Sequence, residues 1–309
     1  RAFLVYSYHV MKLARSKQFD LIYASSSRLM TAILAARISR VKNAPLYIDF
    51  RDIFVDTIKD ILPASMTFVL KPIFSMLEKW AVKRASKINL VSYGFSDYFQ
   101  QRYPSKPFSY FTNGIDEEFI LHSPRLKLSR QTRKLQVIYA GNIGKGQGLH
   151  HIIPALAKVF EGHLEFKIIG DGGQKDLLEA ALNANNVTNV ELFAPVTRDE
   201  LKQIYDTADI LFLHLNDYDA FLKVLPSKLF EYVAFGKPIW AGVSGYASTF
   251  LKNEVTNVAL FHPCDIEQAT ASFHELKIEA VDPSNFIKRY SRKKIMEEMA
   301  SDILEISKS

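Results

Sequence analysis

Ten short apolar or β-branched runs alternate along this chain with segments of helical periodicity, and parallel strand–helix–strand units are the folds that such alternation permits. Six runs fall in the second half, at 135–140, 164–169, 189–193, 209–213, 238–242 and 257–261, enough for a Rossmann-like sheet. Between the first two, Leu149, Ile152, Ile153, Leu156 and Phe160 share one helical stripe; before the fourth, Leu201, Ile204, Tyr205 and Ala208 share another. Thr197 followed three residues later by Glu200 predicts a capping box at the start of the second helix. The first half offers four strands, 20–24, 46–50, 87–91 and 108–112, with helices near 28–39, 66–85 and 93–102. Residues 116–134 lose periodicity and gain charge, the mark of an interdomain linker. A last helix over about 284–307 sets Met296, Met299, Ile303 and Ile306 at 3, 4, 3 spacing, a stripe able to pack back across the first domain.

A length of 309 residues fits two domains, and no apolar run is long enough to span a bilayer. One cysteine, Cys264, makes no internal disulfide, and eight scattered histidines give no zinc spacing, so a soluble, metal-free, cytosolic protein is expected. The chain opens RAFLVYSYHVMKLARS, which is helix-like rather than signal-like; it lacks an initiator Met, and further residues upstream are expected. Residues 1–134 hold 22 Lys and Arg against 10 Asp and Glu, net +12, while 135–309 hold 17 against 23, net −6. A basic half points to an anionic partner such as a membrane surface or a phosphate-bearing acceptor, although solvated lysines explain the same count. Neither a helix-turn-helix nor an aromatic stacking motif accompanies it, which argues against nucleic acid.

Three loops carry candidate chemistry. AGNIGKGQG, 140–148, follows a strand and precedes a helix, so its backbone N–H groups and the helix N-terminus suit a diphosphate. Its glycines match neither the dinucleotide fingerprint nor the P-loop, and a plain structural turn is the competing account. IIGDGGQ, 168–174, sits at another strand's C-terminal end, where open α/β sheets place ligands, and also reads as a tight turn. In DAFLKVLPSKLFEYVAFGKPIWAG, 219–242, Pro226 and Ser227 begin a helix, with Ser227 as the expected cap, and Gly236 ends it. Ser227 and Lys228 at that N-terminus favour phosphate, and Glu231 one turn later has two oxygens for two adjacent ribose hydroxyls. A surface glutamate beside ordinary caps remains the alternative.

Taken together, PSKLFEYVAFGKPI, AGNIGKGQGL, IIGDGGQKDLL, VELFAPVTRDELKQIYDTADILFLHL and FTNGID, in that family's order along the chain, resemble the family 4 retaining glycosyltransferases of the GT-B fold, in the branch that builds bacterial surface polysaccharides. IDFRDIF, 48–54, FDLIYASSS, 19–27, and LEKWAVKRASKINLVS extend the resemblance into the first half. The resemblance implies an α/β chain with two Rossmann-like domains facing a cleft. It places a partial acceptor-side domain over 1–125, a donor domain over 126–284, and a C-terminal helix over 285–309 that returns to the first domain. The N-terminal domain is then incomplete, because the family's first strand and glycine-rich loop precede residue 1.

The same resemblance implies a nucleotide-sugar donor, with UDP expected, and no metal or other cofactor. Glu231 matches the second glutamate of the family's Glu-x7-Glu motif, which binds the donor ribose. Lys223 stands where the first glutamate would touch the sugar. Asn142 and Gln147 replace the family's basic pair in the first loop, which leaves Lys145 and Lys228, by charge and position, to neutralise the departing diphosphate. Residues 224–227, with Pro226 and Ser227, resemble the backbone segment that meets sugar and phosphate, and Phe193 to Val196 the segment that lines the base, with the main chain of Val196 reading the uracil edge. Lys145, Lys228 and Lys223 are thus the candidate catalytic residues. Gly141, Asn142, Gly144, Gly170, Asp171, Val196, Pro226, Ser227, Leu229 and Glu231 are the candidate donor-binding residues.

The acceptor is expected to be lipid-diphosphate-linked or an oligosaccharide, at the inner face of the plasma membrane. Peripheral membrane contact is read from the helix at 66–87, where Phe68, Phe74, Met76, Leu77 and Trp80 accompany Lys71, Lys79, Lys83, Arg84 and Lys87; a helix burying its apolar stripe is the alternative. Asp49, Arg51 and Asp52 form either an acceptor-orienting group or an internal ion pair. His9, His122, His150, His151 and His214 are candidates by residue type alone. Two rival functions stay open, a nucleotide-sugar binding module with little turnover and a GT-B nucleotide-sugar epimerase.

Overall fold

Every strand pair in the computed structural model, which describes residues 2–26, 28–56, 64–120 and 134–307, is parallel. His122 and most of the expected linker lie outside the described residues. The chain forms two units, Arg1–Thr112 with Ile295–Ser309, and Asn113–Lys294. The border falls at 112/113, ahead of the position expected at 125, and the second unit extends to Lys294 rather than 284.

The first unit holds a four-stranded sheet, β1 (Ile22–Ser26), β2 (Leu46–Phe50), β3 (Lys87–Leu90) and β4 (Phe108–Ser109), in sequential order. Its helices are α1 (Ala2–Arg15), α2 (Leu29–Lys42), α3 (Ala64–Arg84) and α4 (Ser96–Arg102). β2 is buried throughout, and all of its residues but Asp49 are apolar. α2 stops at Asn43, which takes the left-handed conformation, φ 51°, that asparagine tolerates. β4 is shorter than the sequence predicts because a side chain takes over the ladder: Asn89 Nδ2 donates to the Phe111 carbonyl and the Phe111 N–H donates to Asn89 Oδ1.

The second unit contains α5 (Glu117–Ile120), β5 (Leu135–Ala140), α6 (Leu149–Val159), β6 (Leu164–Ile169), α7 (Lys175–Ala184), β7 (Val190–Phe193), α8 (Arg198–Thr207) and β8 (Ile210–His214). After a 3-10 turn (Asp219–Lys223) come α9 (Lys228–Ala234), β9 (Ile239–Gly242), α10 (Gly245–Glu254), β10 (Val258–Phe261), α11 (Ile266–Glu275) and α12 (Ser284–Tyr290). Strand order is β10-β9-β8-β5-β6-β7, so the chain reverses direction across the sheet between β5 and β8. Both faces are covered. Val137 and Tyr139 of β5 pack into one core layer with the α6 stripe, whereas Ile138 and Ala140 pack into the other with Tyr205 and α9. The capping box is formed: Thr197 Oγ1 accepts from the Glu200 N–H, and Glu200 Oε2 accepts from the Thr197 N–H at 2.9 Å.

The single helix expected over 284–307 is two, α12 and α13 (Arg292–Ser307). Between them Ser291 is extended and bridges Ile115; the Ile115 N–H donates to the Tyr290 carbonyl at 2.8 Å and the Arg292 N–H to the Ile115 carbonyl at 2.9 Å. The glycine of FTNGID is required there, since a Cβ on Gly114 would lie 2.7 Å from Arg292 Cα. From Ile295 onward α13 belongs to the first unit, where Asp302 accepts hydrogen bonds from Tyr47 at 3.0 Å, Ser109 at 2.7 Å and Lys87.

Candidate functional site

At the C-terminal ends of β5 and β6 two glycine loops are laced together. The Ile143 N–H donates to the Asp171 carbonyl at 2.8 Å and the Gln174 N–H to the Ile143 carbonyl at 2.9 Å. Gly170 has φ 150°, and a Cβ there would lie 1.8 Å from the Gly141 carbonyl oxygen, so this approach is open only to glycine. The two loops, the turn after β7 and the start of α9 enclose a cavity of about 310 Å³. Its lining includes Gly141, Asn142, Gly170, Asp171, Val196 and Lys228, all predicted from sequence. Ala140, Ile169, Pro195 and Leu201 complete the lining; the first three lie within segments read from the sequence as candidate binding segments, without being singled out, and Leu201 was read only as part of a helical stripe.

α9 sets the predicted ribose ligand, Glu231, one turn beyond Lys228; Glu231 itself does not line the cavity. Lys228 Nζ donates to Glu231 Oε2 at 2.8 Å, so the cation on the cavity wall and the carboxylate one turn later form one charged pair, each side chain about a quarter exposed. Behind them the buried Tyr232 hydroxyl accepts from the Ala140 N–H at 3.1 Å, tying α9 to the end of β5. Burial pushes the Tyr232 phenol well above its ordinary value, which keeps it neutral. Tyr232 was missed because its apolar neighbours mark it as core, and core is where its ring lies.

Other predicted residues stand apart from the cavity lining. Ser227 is not a side-chain cap: it is already helical, φ −62° and ψ −31°, and makes no capping hydrogen bond. Leu229 is fully buried in the core beneath α9, so it can offer a ligand only its main chain. Lys223 ends the 3-10 turn, Lys145 is exposed on the first glycine loop, and Pro226 is half-buried ahead of α9; none of the three lines the cavity. Gly144 is buried, and its N–H donates to Gln147 Oε1 at 3.3 Å. Asn142 donates to that same oxygen at 2.9 Å, so the two positions read as departures from a basic pair bond each other.

His214 holds this loop from below. Its Nε2 accepts from the Cys264 N–H at 3.0 Å, which requires the proton on Nδ1, 2.6 Å from the Gln147 carbonyl. Burial lowers its pKa to about 4, so the ring is neutral. Asn216 adds a second anchor: its N–H donates to the Gly146 carbonyl at 2.8 Å and its Nδ2 to the Lys145 carbonyl at 2.9 Å. His150 and His151 begin α6 with rings 3.9 Å apart and do not line the cavity, and His9 is exposed on α1. Among the described residues no three His, Cys, Asp or Glu side chains converge as a metal site would require.

In the first unit, Asp49 forms an internal ion pair. Its fully buried carboxylate accepts from Arg51 Nε at 3.0 Å, Ser25 at 3.0 Å and Asn89 at 2.8 Å, which fixes the arginine stem at the C-terminal end of β2.

Comparison with known proteins gives three findings. Residues 125–294 match the family model for glycosyl transferases group 1. Over 112 residues, 36% of this chain, the sequence is 33% identical to the Escherichia coli strain K12 protein described as a colanic acid biosynthesis glycosyl transferase, WcaI. The match takes in 27% of that relative's length. Among solved structures, Anabaena HepE, crystallised with UDP and glucose, superposes with a TM-score of 0.70 at 18% identity, over 96% of this chain and 80% of HepE. The lipopolysaccharide outer core galactosyltransferase WaaB superposes with a TM-score of 0.64 at 13% identity, over 92% of this chain and 74% of WaaB.

Proposed function

The chain belongs to the group 1 glycosyl transferases and has the GT-B fold, and from that premise we propose that it moves a sugar from UDP to a lipid-linked or saccharide acceptor in surface polysaccharide synthesis, with retention at the anomeric carbon. The observation that carries this reading is the 310 Å³ cavity at the strand ends, with Lys228 on its wall and Glu231 paired to Lys228 one turn later. Glycine-loop N–H groups and Lys228 are the groups for the diphosphate, Glu231 for the ribose hydroxyls, and the Pro195–Val196 turn for the base. Charge develops on the departing diphosphate, so a cation preset beside it lowers the barrier more than it tightens the ground state. Lys145, on the adjoining loop, is the second cation available there. Retention follows when the acceptor hydroxyl arrives on the face that the diphosphate leaves. The site of action is the cytoplasmic face of the membrane, where a lipid-linked acceptor would be held.

Support for the donor comes from HepE, solved with UDP and glucose, and support for the product class from the names of WcaI and WaaB. One observation favours a second reading, a donor-binding module with little turnover: Lys223, at the position of the family's sugar-contacting glutamate, does not line the cavity. UDP-sugars incubated with saccharide and lipid-diphosphate acceptors separate the two. Acceptor-dependent UDP release, with a product of the donor's anomeric configuration by NMR, supports transfer; tight UDP binding with no release favours the module.

A further inference from the structure

The outer face of α3 continues without acidic charge for almost its whole length. Met66, Val69, Ile73 and Met76 recur at 3, 4, 3 spacing and are all exposed, and Lys79 and Lys83 continue the same face one and two turns later. Phe68 flanks the stripe with 84% of its surface exposed, and Met76 shows 64%. A folded domain leaves few large apolar side chains this open in one row. The only acidic residue in α3, Glu78, is turned inward, where the hydroxyls of Tyr98 and Tyr103 donate to it at 3.1 and 2.9 Å. Beside the stripe lies a cavity of about 660 Å³ with Val55, Phe68 and Pro72 among its apolar lining and Lys71 and Arg102 among its polar lining. Apolar volume with cations at hand is what an acyl chain below a phosphate headgroup requires. No helix among the described residues is long and apolar enough to cross a membrane, so the contact would be interfacial.

We propose that this face of α3 docks on a bilayer containing anionic phospholipid, the apolar stripe entering the acyl boundary and Lys79 and Lys83 meeting the headgroups. The proposal deepens the reading of a membrane-held acceptor given above, yet the contact itself needs neither donor nor acceptor. An apolar stripe running into lysines matches the layered order of an anionic bilayer, acyl chains beneath charged headgroups.

The test is flotation of the chain with phosphatidylcholine vesicles, with and without phosphatidylglycerol. Binding is expected only with phosphatidylglycerol, weakening as salt rises. The pairs Ile73→Glu with Met76→Glu, and Lys79→Glu with Lys83→Glu, should each lower the bound fraction at least about tenfold. All four positions are exposed, so melting temperature and UDP affinity should not change. Phe68→Trp, a conservative change, should add fluorescence that brominated lipids quench. Absence of flotation, equal binding by the charge-altered pairs, no quenching at position 68, or a self-dimer that Ile73→Glu with Met76→Glu dissolves would each overturn the proposal. Loss of UDP binding by the unaltered chain would instead count against the donor site and leave the vesicle result standing.

Discussion

At the scale of single residues, the two lysines of the SKLFEYVAFGK segment have opposite surroundings. Lys228 lines the cavity and holds Glu231, whereas Lys237 is 1% exposed and donates to the Asp206 carbonyl at 3.1 Å. Lys228→Ala should therefore lower turnover by roughly 100- to 1000-fold, the loss expected when one preset donor at a developing anion is removed. Lys237→Ala should leave turnover per folded molecule near normal and lower the melting temperature instead; steady-state kinetics beside a thermal melt checks both. His214 gives a pH prediction. Its pKa falls from the ordinary 6.5 to about 4 in the folded chain, so the unfolded chain takes the proton first as pH drops. Its stabilising contribution is complete above pH 6.5 and is lost progressively as pH falls through 4, a change of roughly 3 kcal/mol. The groups around it are the Gln147 carbonyl, the Cys264 N–H, the rings of Phe212 and Phe261, and His151, whose charge would oppose a second one. His214→Gln should flatten the stability profile between those pH values, as read by urea unfolding across pH.

At the scale of elements, strands rich in buried apolar residues stand out in sequence, and for that reason 135–140, 164–169 and 46–50 were read from the sequence to their ends. The α6 stripe and the Thr197–Glu200 capping box were equally legible, because both are local patterns. Long-range polar pairings were not. Nothing near Asn89 in sequence shows that its amide would end β4 early, nor that Ile115 would pull Ser291 straight and divide the last helix. The same holds for the anchor of α13, which spacing assigned to Met296, Met299, Ile303 and Ile306. Of these Met299 is buried and the others half-buried, while Asp302 supplies bonds to β2, β3 and β4 across some 190 to 255 positions of sequence. Burial opposes ionisation of Asp302, but the hydrogen bonds from Lys87, Ser109 and Tyr47 outweigh it and hold its pKa below the ordinary carboxylate value. Its stabilising effect is thus present near neutrality and disappears as pH falls through that lowered pKa. Asp302→Ala should cost about 2–4 kcal/mol and expose α13 amides, measured by hydrogen exchange.

At the scale of the molecule, the charge division changes with the observed border. The first unit carries 18 Lys and Arg against 11 Asp and Glu, net +7, and the second 21 against 22, net −1. Residues 121–133 alone hold four basic residues and no acidic one, so part of the positive charge assigned to the first half belongs to a segment of the second unit. What remains on the first unit includes the lysines of α3. The candidate site was legible because glycine loops at strand ends and a Lys–Glu pair at a helix start are local signatures. The tertiary roles of Tyr232, His214 and Asn216 in holding them were hidden because each acts on a segment far along the chain. The central claim is that the cavity at the ends of β5, β6 and β7 binds the nucleotide through Glu231. Calorimetry of UDP against the unaltered chain and Glu231→Ala tests it most directly. One site per chain, weakened about 10- to 100-fold in a variant that melts at the same temperature, is the predicted result; equal affinity in the two proteins, or no binding to either, would contradict it.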